Sequence, residues 1–231
     1  MLFIFLTGLL ALTFIAAITD WVAVHKGWRK VEIIAKPATM VFLFAWMAYT
    51  ARFEHIALVF FGLGILFSLA GDVFLMLSDR WFIAGLVSFL MAHVMYIIGF
   101  YMPLPELSPL WALALAVILG LGAAQVLGGI VNGLRAKSLQ KLVTPVVIYG
   151  IIITLMLLSA LLTLSRPDWQ LLTAILVSLG ALAFYISDVI LAWNKFVKPI
   201  KNGRIMNMAA YHIGQIALII GVVYQFGPYL R

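Results

Sequence analysis

Apolar residues run along this chain in long blocks, broken only by short charged stretches. Eight blocks are long enough to cross a hydrocarbon core of about 30 Å at about 1.5 Å per residue. They cover roughly 2–22, 33–50, 55–77, 82–102, 109–131, 141–163, 169–193 and 206–227. Runs of this length lack the polar/apolar alternation of a transmembrane β-strand. The expected class is therefore all-α: a polytopic membrane protein with eight transmembrane helices. The connections HKGWRKVE, ARFEH, SDRW, PLPELSP, NGLRAKSLQ, SRPDW and NKFVKPIKNGR are too short for a soluble domain, so 1–231 reads as one transmembrane domain. The second block is the shortest and is expected to begin at or just before Lys36–Pro37, where a first-turn proline costs little. The N-terminal block lacks a basic flank and reads as a retained first helix rather than a cleaved signal.

Composition agrees with this pattern. The chain is 65% hydrophobic and only 10% charged, against about a quarter charged in soluble domains. It contains no cysteine, which excludes disulfide and thiolate chemistry. The net charge of +7 does not imply nucleic acid, because the basic residues sit in loops beside apolar blocks, where topology and anionic headgroups account for them. Eleven of them (Lys26, Arg29, Lys30, Arg80, Arg135, Lys137, Lys141, Lys195, Lys198, Lys201 and Arg204) fall after blocks one, three, five and seven. Only Arg52, Arg166 and Arg231 fall on the other side. The positive-inside rule then puts the odd-numbered loops in the cytoplasm and both termini outside, in a bacterial inner membrane.

A parallel 4+4 internal repeat is expected, with halves 1–102 and 109–231. LQKLVTPVVIYGIII (139–153) resembles VEIIAKPATMVFLFA (31–45), and ISDVILAW (186–193) resembles AGDVFLML (70–77), with Asp188 falling on Asp72. Both halves would enter the membrane in the same direction. The glycines of block five (Gly120, Gly122, Gly128 and Gly129) read as helix-packing positions.

Ionisable groups within apolar blocks are costly and mark functional candidates. Asp72 and Asp188 each lie about five residues from the cytoplasmic end of a block. Lys36, Thr39, Tyr149, Tyr211 and Gln215 enter from the same side, while His93 and Tyr96 lie deeper. Helical spacing pairs Lys36 with Thr39, His93 with Tyr96, Tyr185 with Asp188 and Tyr211 with Gln215. The expected result is one polar cavity open to the cytoplasmic leaflet, with an apolar tail lying beside Leu75, Met76 and Leu191. The competing reading makes each aspartate a structural partner of Lys36 or a hydroxyl, and His93 a satisfied core histidine. No HExxH, cysteine–histidine or GxSxG pattern is present, so metal and serine-hydrolase chemistry have no motif here.

Two carboxyls in one low-dielectric site supply a general acid and a general base. They equally supply a proton relay. The residues alone leave open an intramembrane hydrolase of an amphiphile, a proton-coupled transporter and a scaffold without chemistry.

KPATM (36–40), FSLAGDVFLML (67–77), FIAGLVSFLMAHVMY (82–96), SDVILAWNKF (187–196) and YHIGQIALIIGV (211–222) together resemble the signature blocks of the YhhN-like lysoplasmalogenase family. The resemblance implies hydrolysis of the vinyl ether of a lysophospholipid-type amphiphile, giving a fatty aldehyde and glycerophosphoethanolamine or glycerophosphocholine. It implies that Asp72 and Asp188 are the essential acids, with Lys36, His93, Tyr96, Tyr211 and Gln215 around them. On this reading Asp72 protonates the vinyl carbon, Asp188 activates water, Lys36 holds the phosphate, and no metal or organic cofactor is required. The membrane lipid is the other expected partner; oligomeric state is left open.

Overall fold

The computed structural model describes residues 2–105 and 108–228, without the side chains of 2–6. Its helices are α1 (Leu2–Lys26), α2 (Arg29–Ala51), α3 (Ile56–Met76), α4 (Phe82–Phe100), α5 (Pro109–Ala136), α6 (Val143–Leu162), α7 (Leu171–Ala192) and α8 (Gly203–Phe226). All eight are long and apolar enough to span a membrane, and no strand occurs among the described residues. Arg231, assigned above to the sparsely basic side, lies outside the described residues, as do Glu106 and Leu107.

Consecutive helices pack as hairpins, tightest for α1/α2, α3/α4 and α7/α8. Helix α8 lies at the centre, against α1, α2, α3 and α7, while α4 reaches across to α6. The α7/α8 contact depends on paired glycines. A Cβ on Gly180 would stand 2.6 Å from the Leu218 nitrogen, and one on Gly214 would stand 2.7 Å from the Phe184 nitrogen. Backbone meets backbone there, as small residues allow between membrane helices. Gly71 does the same service beside Asp72: the Phe89 ring occupies the space its side chain would fill.

Three boundaries differ from the sequence reading. Helix α2 begins at Arg29, so Pro37 lies in its interior and deprives the Ile33 carbonyl of its helical donor. Pro145, by contrast, is in the first turn of α6. The two prolines aligned in the repeat therefore sit at different helix positions. Helix α7 runs on through a widened π-helical turn, Trp193–Val197, and α8 begins at Gly203. Charged residues in RKVE and NGR hid these helical turns, because hydropathy reports lipid contact and not hydrogen bonding.

Helix α5 is the outlying member. Among its described residues only Ala123, Ile130 and Leu134 are buried. A Cβ on Gly120, Gly122 or Gly128 would touch nothing within 4 Å. Those glycines do not mediate packing within the chain, contrary to expectation; only Gly129 and Gly133 meet neighbours, at Trp193 and Phe196.

On the sparsely basic side, Arg166 is buried and binds Asp168 through Nε (3.0 Å) and Nη2 (2.6 Å), while Nη1 donates to the Phe100 carbonyl. The Arg166 hydrogen bonds hold the Asp168 carboxyl below its ordinary pKa. A depressed carboxyl pKa stabilises the fold above the unfolded-state value, and that contribution disappears as pH falls through the folded-state value. The difference in melting temperature in detergent between the wild type and Asp168→Asn is therefore expected to be present at neutral pH. It is expected to close on acidification below the ordinary carboxylate range.

Candidate functional site

Two aspartates on α3 and α7 organise the interior of the strongly basic side. Asp72, one turn before the end of α3, is fully buried. Its Oδ1 pairs with Lys36 Nζ of α2 at 3.1 Å, and its Oδ2 accepts a hydrogen bond from Tyr211 of α8 at 2.7 Å. Lys36 is itself buried and lies 5.8 Å above the Tyr211 ring. Asp188, one turn before the end of α7, accepts a very short hydrogen bond from the Tyr149 hydroxyl of α6. His93 Nε2 of α4 lies 3.0 Å from Tyr149 Oη and 3.3 Å from Asp188 Oδ2. Each carboxyl is thus served by the helix preceding its own and by the last helix of the other half of the chain.

Two cavities meet at Asp188. The first is polar and contains Arg29, Glu32, Lys36, Asp72, Arg204 and Tyr211, with Asp188 on its wall. The second is an apolar groove between α4, α5, α6 and α7, with Phe82, Leu86, Val126, Ile153 and Val189 in its lining. Tyr149 and Asp188 supply its polar atoms near the junction, with Tyr185 beside them. Leu75, Phe89, Asp188 and Leu191 belong to both. Asp72 faces only the polar cavity. The change from polar to apolar walls suits an amphiphile.

The structure divides the other predicted residues into groups. Thr39 is buried and donates back to the Ala35 carbonyl of its own helix at 3.0 Å, so it does not turn toward the cavity with Lys36. Tyr96 donates to Gln215 Oε1 (2.7 Å), and Gln215 Nε2 donates to Ser68 Oγ (2.9 Å). That fully enclosed chain ties α4, α8 and α3 together and lines neither cavity. A three- or four-residue spacing puts side chains on one face, but that face can meet a cavity at one turn and a packed neighbour at the next. His93 also stands outside the lining and supports Asp188 from behind.

Several polar residues escaped the sequence reading. Glu32 of α2 is buried and binds Arg204 of α8 at 2.8 and 3.0 Å and Arg29 at 3.2 Å. Arg29 also donates to the Met76 carbonyl at the end of α3, at 2.7 Å. The signal was there: Arg29, Glu32 and Lys36 repeat at helical spacing, but Arg29 and Glu32 preceded the apolar block and were read as loop. Asn207 of α8 binds the Ser187 carbonyl (2.7 Å) and Oγ (3.0 Å), which holds the turn carrying Asp188. Asp20 of α1 is fully buried 4.0 Å from His212, whose Nδ1 accepts from Trp21 Nε1 at 3.1 Å. Asp20 lies near the end of the first apolar block and was not singled out from the sequence.

Residues 31–222, most of the chain and both aspartates included, match the YhhN family. The chain belongs to the YhhN family. Among the relatives of this YhhN protein is human lysoplasmalogenase TMEM86A, 32% identical over 169 residues, which are 71% of this chain and 65% of the human protein. Cattle lysoplasmalogenase TMEM86A is 31% identical over 170 residues, with the same two coverages. Human lysoplasmalogenase TMEM86B is 28% identical over 144 residues, 62% of this chain and 54% of that protein. The chain thus spans somewhat under two thirds of the length of these relatives. No solved structure matches it.

Proposed function

We propose that this YhhN protein hydrolyses the vinyl ether of a lysoplasmalogen to a fatty aldehyde and a glycerophosphoalcohol. The observation that carries the reading is the position of Asp188, at the seam between an apolar groove and a polar cavity. An alkenyl chain in the groove and a glycerol headgroup in the cavity bring the ether linkage to that seam. The relatives' names agree with this chemistry and do not favour the transporter alternative.

Position argues for a division of labour opposite to the one expected from the sequence. The acid must reach carbon, so it belongs on the side of the chain: Asp188 protonates the vinyl carbon remote from oxygen, giving an oxocarbenium ion. The base must meet water, so it belongs on the polar side: Asp72 takes a proton as water adds to the carbon bearing oxygen. The resulting hemiacetal then collapses. Its hydroxyl proton returns to Asp188, Asp72 delivers its proton to the departing glycerol oxygen, and both carboxyls regain their starting states. Tyr149 and His93 orient Asp188, and Lys36 and Tyr211 orient Asp72, through the contacts given above. The matched surroundings of the two aspartates support the 4+4 repeat, and the basic side is read as cytoplasmic, in a bacterial inner membrane.

Mass spectrometry of purified protein with lysoplasmalogen, beside an ester-linked lysolipid of equal chain length, tests the reaction. Aldehyde release from the first alone is expected; equal release of products from both, or from neither, refutes it. The groove makes a separate prediction. Val126 lines it from the loosely packed α5. Val126→Trp is expected to raise KM several-fold for long alkenyl chains and to leave short-chain substrates little affected, as measured over a chain-length series.

A further inference from the structure

The sequence reading gave the substrate phosphate to Lys36. In the structure that ammonium is committed to Asp72 at 3.1 Å and its side chain is only 7% exposed. The polar cavity contains two other cations, Arg29 and Arg204, whose side chains are 50% and 65% exposed. They flank the buried carboxylate of Glu32. Two guanidinium groups sharing one carboxylate leave a net charge of +1 in this cluster, which matches the single negative charge of a phosphodiester. The hydrogen bonds leave room for it. Arg204 engages Glu32 through Nη2, so its Nε–H and Nη1–H₂ groups, on opposite sides of the guanidinium, remain as separate donors for phosphate oxygens. Arg29 is steadied by Glu32 and by the Met76 carbonyl, with its Nε–H remaining.

The spacing along α2 fits as well. Glu32 precedes Lys36 by four residues, or about 6 Å of helix rise. The arginine pair therefore lies about one turn nearer the end of the helix than the Lys36–Asp72 pair. A glycerol unit is the right size of linker between a phosphate at the first level and an ether at the second. We infer that the Arg29–Glu32–Arg204 cluster at the rim of the polar cavity is the phosphodiester subsite, binding the headgroup phosphate of a lysolipid. Lys36 is left to orient Asp72. The assignment rests on the lysoplasmalogenase reading for the substrate's identity, though the subsite can be tested without turnover.

The test compares binding of two non-hydrolysable ligands to detergent-solubilised protein: a saturated alkyl-ether lysophosphatidylethanolamine and the alkylglycerol that lacks its phosphate. Wild type is expected to favour the phosphorylated ligand. Arg204→Gln and Arg29→Gln are each expected to reduce that preference about tenfold, with Arg204→Lys intermediate because it keeps charge and loses the separate guanidinium donors. A purely structural role would weaken both ligands alike and leave their ratio unchanged, which overturns the assignment. Arg204→Lys and Arg29→Gln carry the same comparison if Arg204→Gln does not fold. Inorganic phosphate is expected to leave alkylglycerol binding unchanged. If it competes for the phosphorylated ligand at the same concentration as glycerophosphoethanolamine, the site is one for free anion and the lipid assignment fails. Absence of aldehyde release from wild type would count against the hydrolase reading alone, because the binding ratio is measured independently.

Discussion

Asp188→Asn is expected to lower aldehyde release by about 10²–10⁴-fold, the usual contribution of a positioned general acid or base. The amide keeps the shape of the carboxyl and can still meet Tyr149, but it cannot transfer a proton to carbon. Asp188 is half-buried and pairs with His93 and Tyr149 without a lysine or arginine partner in its immediate contacts. The substitution is therefore expected to leave the melting temperature nearly unchanged. Activity per folded molecule, taken from initial aldehyde rates and a thermal melt in the same detergent, checks both halves. A variant with near-wild-type turnover would remove Asp188 from the chemistry.

The second large effect concerns stability. Lys36→Met leaves the Asp72 carboxylate buried with only the Tyr211 hydroxyl for company. Removing one partner of a buried pair costs about 3–5 kcal/mol, whereas replacing both by apolar residues is often neutral or stabilising. Lys36→Met is thus expected to lower the melting temperature sharply, and the double variant Lys36→Met/Asp72→Leu to recover most of the loss while remaining inactive. Recovery of stability without activity would show that the pair is maintained for chemistry. A double variant as unstable as the single one would show instead that Tyr211 and its neighbours need the charge.

The helix count and the placing of Asp72 and Asp188 within helices beside one polar cavity could be read from the sequence, for a common reason. Lipid imposes one strong rule on every residue that faces it, so block length reports helices and an aspartate within a block stands out. Polar residues at block ends follow no such rule. Glu32 and Arg204 looked like loop charges, yet their helices extend past the apolar blocks and bring them together over the cavity. Thr39, Tyr96 and Gln215 failed in the opposite sense. They share helical faces with Lys36, His93 and Tyr211, but neighbouring helices cover those turns, and which turn is covered depends on contacts between distant parts of the chain. Of the groove's apolar lining only Leu75 and Leu191 were anticipated, since the rest is chemically the same as the core.

The sparse anchoring of α5 bears on how the groove can change its shape. One wall of the groove is carried by a helix with few buried residues, so enlarging or shrinking a side chain there alters the space for a hydrocarbon tail with little penalty to folding. The opposite walls, on α4 and α7, carry His93 and Asp188 and are fastened into the core, so they do not enjoy that freedom. On the proposed reading, selectivity among tails can therefore be retuned from the periphery while the surroundings of Asp188 stay fixed.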